Sequence, residues 1–517
     1  PTEVPTEVPT EEAPPTEELP TEVPTEEAPP IEEIVEEPII EDIEETIVEP
    51  VETVEEPIEA AMEISGAAIS VSSANTSFQV QNLSGVNATV RAEYYRETGG
   101  SAVHSQNIPV VAYSSVNIYQ PNVSGLPSPF KGSVVLSSDQ PIGAVGGMTI
   151  NWSNGKQGGA NYSGLSQEEI GRTIYLPNIS KRFGGGVYST KIVVQNTGAT
   201  TNVTVRYYRS SDGVQITGAT ETRSIPANGS TTFEQINNNG LPDGFLGGAV
   251  VTSSVSDIAV VVNVYNDQGR LQAYNGFKDG STSVYLPTVL RSFGAGQWTT
   301  SFQIMALEAG TTDVTVEYYG PTGLVRTASY NGANALKQYQ SVNRYQGNDT
   351  FMSSNQVYAA RVFATKKIVV IVNQAQGGGG IGTSSYNGAL VGKTKFFLPA
   401  VLKYFGAGNY ISSFQIMNVG TGSANVTVRY YNQGSSTPFK TVTYQPGGDA
   451  PPIPQYRSVN RFLASTTGPK PDASIPNGWI GSVVVESTNG VPIVVIASHA
   501  GYAVNGDGTV QYNGVGQ

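Results

Sequence analysis

Two histidines, a run of glycines, a lysine-bearing loop and one acidic turn are the places where this 517-residue sequence offers recognisable chemistry. A nucleophile–histidine–acid relay needs a histidine beside a serine on a strained turn. His104 and His499 lie at unrelated positions, and no G-x-S-x-G occurs, so both read as surface or hairpin residues. The run GGGGIG (377–382) has Gly377, Gly379 and Gly382 at the spacing of a dinucleotide site, which also needs a helix directly after it. TSSYNG follows instead, and a β-hairpin loop is expected. GALVGKT (388–394) is one residue short of a phosphate-binding P-loop and reads as a linker. Glycoside hydrolysis needs two carboxyl groups about 5–10 Å apart in a cleft. Acids after residue 60 are sparse and share no recurring position. The turn NGDG (505–508) offers oxygens that suit Ca²⁺, although an ordinary turn is the plainer reading. The absence of cysteine excludes disulfides, thiolate metal sites and cysteine nucleophiles. No enzyme is expected, and no cofactor beyond that Ca²⁺.

The elements that carry these residues are short and rich in turns. Gly 58, Pro 32, Tyr 27 and only 14% charged residues point to β-structure. The net charge of −15 is unevenly placed. Residues 1–60 hold 22 of the 43 acidic side chains and no Lys or Arg, leaving the remainder at +7. The basic residues are scattered, which argues against nucleic acid as a partner. Apolar runs such as IAVVVNVY (258–265) have strand length, too short to span a bilayer. The chain opens on Pro1 in place of Met, as a processed or truncated form would.

One unit recurs four times. Tyr-Tyr doublets fall at 94–95, 207–208, 318–319 and 430–431, each ending a strand of the type NVTVRYY. An upstream strand recurs as SFQVQN (77–82), KIVVQN (191–196), SFQIMA (301–306) and SFQIMN (413–418). Each copy closes on YSG (162–164) or YNG (274–276, 386–388, 512–514). Period-two alternation places Val203, Val205 and Tyr207 on one face, as a half-buried antiparallel sheet requires. About seven strands in roughly 110 residues read as an immunoglobulin-like β-sandwich. The expected fold is all-β: four tandem sandwiches at 60–170, 171–280, 281–392 and 393–517. Copies two to four open on YLPNISKRFGGG (175–186), YLPTVLRSFGAG (285–296) and FLPAVLKYFGAG (397–408), whose proline suits an edge strand. Copy one has AAMEISGAAISVSSANT (60–76) there, so it either begins differently or has an incomplete edge.

Ahead of the repeats lie a Pro/Thr/Glu-rich stretch (1–30) and an acidic, aliphatic segment (31–59), together expected to be extended or disordered. With its VTVxYY strands and N-x-G turns, the chain resembles secreted bacterial surface proteins built from tandem immunoglobulin-like repeats behind such a stalk. That resemblance implies an extracellular or cell-surface location. It also implies a role as layer, fibre, adhesin or accessory module.

Three groups of residues are candidates for function. In the second segment Ile39, Ile40, Ile43, Ile47, Val48, Val51 and Val54 suit strand addition to an exposed sheet edge. If the first tyrosine of each doublet points inward, then Tyr95, Tyr208, Tyr319 and Tyr431 point outward. With Tyr188, Trp298 and Tyr410 they could stack on sugar rings or bury against a neighbour. Thr2, Thr6 and Thr10, with the sequons at Asn87, Asn202 and Asn425, are glycosylation candidates. The expected function is a non-enzymatic, self-assembling filament, sheath or layer of a prokaryotic surface, its four domains elongated in series. The alternative is an adhesin or carbohydrate-binding protein with the tail as stalk.

Overall fold

The computed structural model describes residues 71–517, Gly186 excepted. Residues 1–70, with the assembly candidates at 39–54 and the threonines, lie outside the described residues. The first repeat supplies β1 (Val71–Asn82), β2 (Ala88–Arg96), β3 (His104–Val110), β4 (Ser115–Tyr119), β5 (Gly132–Ser138), β6 (Ile142–Trp152) and β7 (Gln157–Ser163). The second supplies β8 (Thr173–Lys181), β9 (Ser189–Asn196), β10 (Thr201–Arg209), β11 (Glu221–Ile225), β12 (Ser230–Glu234), β13 (Phe245–Ser253), β14 (Ile258–Tyr265) and β15 (Leu271–Asn275). The third runs through β16 (Ser281–Val289), β17 (Thr299–Ala306), β18 (Thr311–Thr312), β19 (Val314–Gly320), β20 (Gly323–Tyr330), β21 (Leu336–Lys337), β22 (Ser341–Tyr345), β23 (Tyr358–Ala375) and β24 (Thr383–Asn387). The fourth has β25 (Lys395–Phe405), β26 (Tyr410–Asn418), β27 (Val426–Asn432), β28 (Lys440–Tyr444), β29 (Ser458–Phe462), β30 (Trp479–Ser487), β31 (Ile493–Gly501), β32 (Gly506–Asp507), β33 (Thr509–Asn513) and β34 (Val515–Gly516).

The second repeat shows the plan most plainly. One sheet has the order β11-β10-β13-β8 and the other β12-β9-β14-β15, with antiparallel pairing throughout. Alternate side chains from both sheets meet in an apolar cluster of Ile192, Val194, Val203, Val205, Phe233, Val260 and others. Similar clusters fill the third, fourth and first repeats. Tyr94, Tyr207, Tyr318 and Tyr430 are fully buried in them. Each phenol finds a polar partner in Gln106, Glu221, Asp349 or Asp472, as a buried hydroxyl requires. The proline-bearing strands β8 and β16 hold the outer edge of their sheets, whereas β25, expected at an edge, also pairs with β26 and β34. The registers of all three shift at Pro177, Pro287 and Pro399, where the ladder lacks an N–H. The GGGGIG run joins β23 to β24 as an antiparallel hairpin.

Elongated domains in series are not what forms. Residues 71–517 lie within one compact unit, because the four closing strands meet. β7 lies against β15, β15 against β24, β24 against β33, and β33 against β7. The residue between Tyr and Gly in each closing motif ties this cycle together. Asn275, Asn387 and Asn513 donate through their amides to the carbonyls of Ser163, Asn275 and Asn387 at 2.8, 2.7 and 2.7 Å. The Ser163 hydroxyl donates to the Asn513 carbonyl at 2.8 Å and completes the ring.

A second tie is Asp507, fully buried on β32, which pairs in parallel with β7. Gly506 comes so close to Gln157 that a Cβ would stand 2.0 Å from its carbonyl oxygen. The Asp507 carboxyl accepts from the backbone N–H of Leu271 (3.0 Å), Thr383 (2.8 Å) and Thr509 (3.2 Å) and from the Thr383 hydroxyl. It faces donors, whereas Ca²⁺ requires oxygen acceptors, so this turn does not fit the ion. Burial pushes the Asp507 carboxyl up to about 7, against the pull of those donors. Burial pushes His499, whose ring lies 3.0 Å from the Ala400 carbonyl, down to about 4.

These two buried groups act on stability with opposite sign. The raised Asp507 favours folding below pH 4 and loses that contribution as pH rises through 7. The depressed His499 favours folding above pH 6.5 and loses its contribution as pH falls through 4. Each is worth on the order of 3 kcal/mol, because every tenfold change in proton affinity on folding corresponds to about 1.4 kcal/mol. In the intact protein the two therefore offset between pH 4 and 6.5. Urea midpoints of His499→Gln should rise toward acid pH, and those of Asp507→Asn should fall. Parallel slopes in the two variants would contradict the assignment.

Candidate assembly site at the first repeat junction

The outward tyrosine of each doublet sits where one repeat meets the next. Tyr208 packs on Tyr339 of the third repeat at 4.7 Å between ring centres, and Tyr319 on Tyr456 of the fourth at 5.1 Å. Tyr431 packs on Tyr113 of the first repeat at 5.8 Å, closing the cycle. Tyr113, Tyr339 and Tyr456 occupy one structural position, two residues before the strand that begins with Ser115, Ser341 or Ser458. All three have positive φ (60°, 61° and 57°), which aims the ring across the junction. The proline strands add Tyr175, Tyr285 and Phe397 to the same contacts.

The junction between repeats one and two lacks these parts. Asn228, with φ 59°, stands where the other junctions have tyrosine, and Tyr95 meets no ring there. In their place the N–H of Gly100 donates to the Ala227 carbonyl (3.1 Å) and the N–H of Ser230 to the Glu97 carbonyl (3.1 Å), and elsewhere the two repeats meet through Trp152, stacked on Tyr265, and an apolar cluster with Leu271 and Ala273.

Among the described residues the first repeat has no counterpart of β8, β16 and β25. Its sheet there ends β3-β2-β5, so one edge of β5 has no strand partner among them. Val135 is 38% exposed, whereas its counterparts Val250 and Val484 are 5% and 1% exposed, packed in clusters that include Met305 and Leu307 of the third repeat and Leu83 of the first. Val134 and Leu136 face the core but are only half-buried. Between the start of β5 and the second repeat lies a groove of about 370 Å³, lined by Glu97, Lys131, Arg223, Ser230 and Glu234 among others. The hydroxyls of Ser341 and Ser458, which correspond to Ser230, donate to the carbonyls of Pro177 and Pro287 in the neighbouring proline strand. The closing tyrosines Tyr274, Tyr386 and Tyr512 likewise donate to Asn178, Thr288 and Ala400 of those strands. Ser230 and Tyr162 hold the matching positions around the empty edge.

Of the residues singled out in the sequence, Tyr208 and Tyr431 are buried, and Tyr95 and Tyr319 are half-buried. Tyr188, half-buried, accepts from Arg270 at 2.6 Å, and Trp298 and Tyr410 are half-buried as well. Asn87 and Asn202 are exposed, and Asn425 is half-buried. The missing Leu-Pro segment points to an incomplete edge in the first repeat, while the place of Asn228 at the junction was not anticipated, although asparagine stands in the column of Tyr113, Tyr339 and Tyr456.

Among the described residues no helix is long and apolar enough to cross a membrane, and no cluster of three or more metal-ligating side chains occurs. No family model and no curated protein matches the chain. Among solved structures, an anti-sigma factor domain-containing protein from Clostridium clariflavum aligns with 81% of this chain and 95% of its own. The identity is 6% and the TM-score 0.09, a level that carries no argument.

Proposed function

We propose that this is a secreted, non-enzymatic structural protein of a prokaryotic cell surface that self-assembles into a filament, sheath or layer. In this reading each repeat is an immunoglobulin-like sandwich, residues 1–30 are a glycosylated stalk, and the segment before β1 joins one copy to the next. The observation that carries it is the contrast between junctions: three are closed by a proline strand and stacked tyrosines, and at the fourth one edge of β5 has no strand partner among the described residues. Such an edge is a template for pairing with another chain.

A carbohydrate-binding surface protein would need the outward aromatics free, yet neighbouring repeats cover Tyr208 and Tyr431. For that reason assembly is preferred. Full-length protein should sediment as polydisperse, concentration-dependent oligomers, and a variant lacking residues 1–70 should sediment as a monomer. Identical assemblies from the shortened chain would remove the N-terminal segment from the reading.

A further inference from the structure

We infer that the strand taken up by β5 is Ala60–Ser65 of a second copy, exchanged between molecules in place of folding back on its own repeat. This rests on the self-assembly reading and names its donor. The register comes from a constant interval. The inward leucine of the proline strand precedes the inward apolar residue of the next strand by sixteen positions in three repeats: Leu176 and Ile192, Leu286 and Phe302, Leu398 and Phe414. Sixteen positions before Phe78, their counterpart in β1, stands Met62. Met62 then takes the leucine slot opposite Val134, as Leu176 lies opposite Ala249. Ala60 falls opposite Leu136, as Ile174 lies opposite Val251. The carbonyls of Glu63 and Ile64 fall where Ser230 and Tyr162 can donate, matching Ser341 to Pro177 and Tyr274 to Asn178.

The connection between the strands argues for a second copy. In repeats two to four the proline strand turns into the next through three residues of positive φ: Arg182, Gly184, Val187; Ser292, Gly294, Gln297; Tyr404, Gly406, Asn409. By the same interval, Ala68, Ser70 and Ser73 stand at these places in the first repeat, without the central glycine that makes such a turn inexpensive. Ser73 is extended and pairs with Asn151, and Val71 with Trp152. Residues 71–74 thus continue along β6 and carry the chain about 13 Å past the point where the other repeats reverse, at about 3.3 Å per residue. To return and cross to the other sheet, about 10 Å away, residues 66–70 would have to be almost fully stretched, since five residues span at most about 18 Å. A straightened hinge that keeps a complementary strand is the usual basis of strand exchange. Donor and acceptor are different surfaces of one molecule, so reciprocal exchange closes a dimer, whereas head-to-tail exchange runs on into a ring or an open polymer.

The cysteine-free chain makes the test direct. Met62→Cys and Val134→Cys, made as separate full-length variants and mixed under oxidising conditions, should give a covalent heterodimer. One chain carrying both should give a ladder that collapses on reduction. Ala60→Cys with Leu136→Cys repeats the measurement should the first pair disturb folding. An internal link without a ladder overturns exchange. Assembly in which Val51→Cys, and not Met62→Cys, links to Val134→Cys overturns the donor while leaving self-assembly standing. Full-length protein that stays monomeric overturns the assembly reading itself.

Discussion

Replacing Asp507 with alanine is expected to open the cycle of repeats, lowering stability by about 4 kcal/mol. The carboxyl is the common acceptor for donors from three repeats: Leu271 of the second, Thr383 of the third and Thr509 of the fourth. Its strand also pairs with Gln157 and Gly158 of the first. Deleting it leaves three buried N–H groups and a hydroxyl without an acceptor. Each such group costs about 1–3 kcal/mol, partly relieved if water enters. Asp507→Asn keeps one carbonyl oxygen but turns an amide N–H₂ toward donors, so an intermediate loss is expected. Urea unfolding should show the effect as a new, early transition, because repeats that separate lose the coupling that makes them unfold together. An Asp507→Ala protein that unfolds in one step within about 1 kcal/mol of the parent would show that the asparagine ring alone holds the cycle.

Why that tie was hidden in the sequence, while much else was plain, follows from the range of the interactions. The Tyr-Tyr doublets, the period-two strands and the edge position of the Leu-Pro segments in β8 and β16 depend on neighbours within one sheet, and alternation and proline chemistry report those directly. The inward tyrosines could be placed by the pleat alone. The ring depends on contacts between residues 112, 126 and 350 positions apart, made by a Tyr-Asn-Gly motif (Tyr-Ser-Gly in the first repeat) that on its own looks like a turn. In the fold Asn275, Asn387 and Asn513 end strands, and their amides bond across repeats. NGDG offered a similar ambiguity: the pattern that suits a cation loop places Asp507 among N–H donors, which only tertiary contacts could reveal. The outward tyrosines were legible as outward but not as covered, because their cover comes from the next repeat.

Replacing Asp472 with alanine should cost about 3–5 kcal/mol, the usual range for leaving a buried cation without its partner. Arg461 is 4% exposed and donates twice to Asp472, at 2.9 and 2.5 Å. Lys440 lies 3.0 Å from the same carboxylate, and the Tyr430 hydroxyl donates to it at 3.0 Å. In the third repeat Asp349 pairs with an Arg344 that is 30% exposed, so solvent screening should make Asp349→Ala milder. In the first repeat the buried tyrosine meets only neutral Gln106, at 2.7 Å, and Gln106→Ala should cost about 1 kcal/mol. The expected order of loss is Asp472, then Asp349, then Gln106, read from denaturant midpoints; a Gln106 effect equal to that of Asp472 would contradict it. The ranking bears on assembly. The repeat without a proline strand is also the one without a charged network under its tyrosine, and its core is the least enclosed. Amide exchange should accordingly be fastest in β2, β3 and β5. Protection of those strands should rise once copies join, if their missing strand arrives from a neighbour.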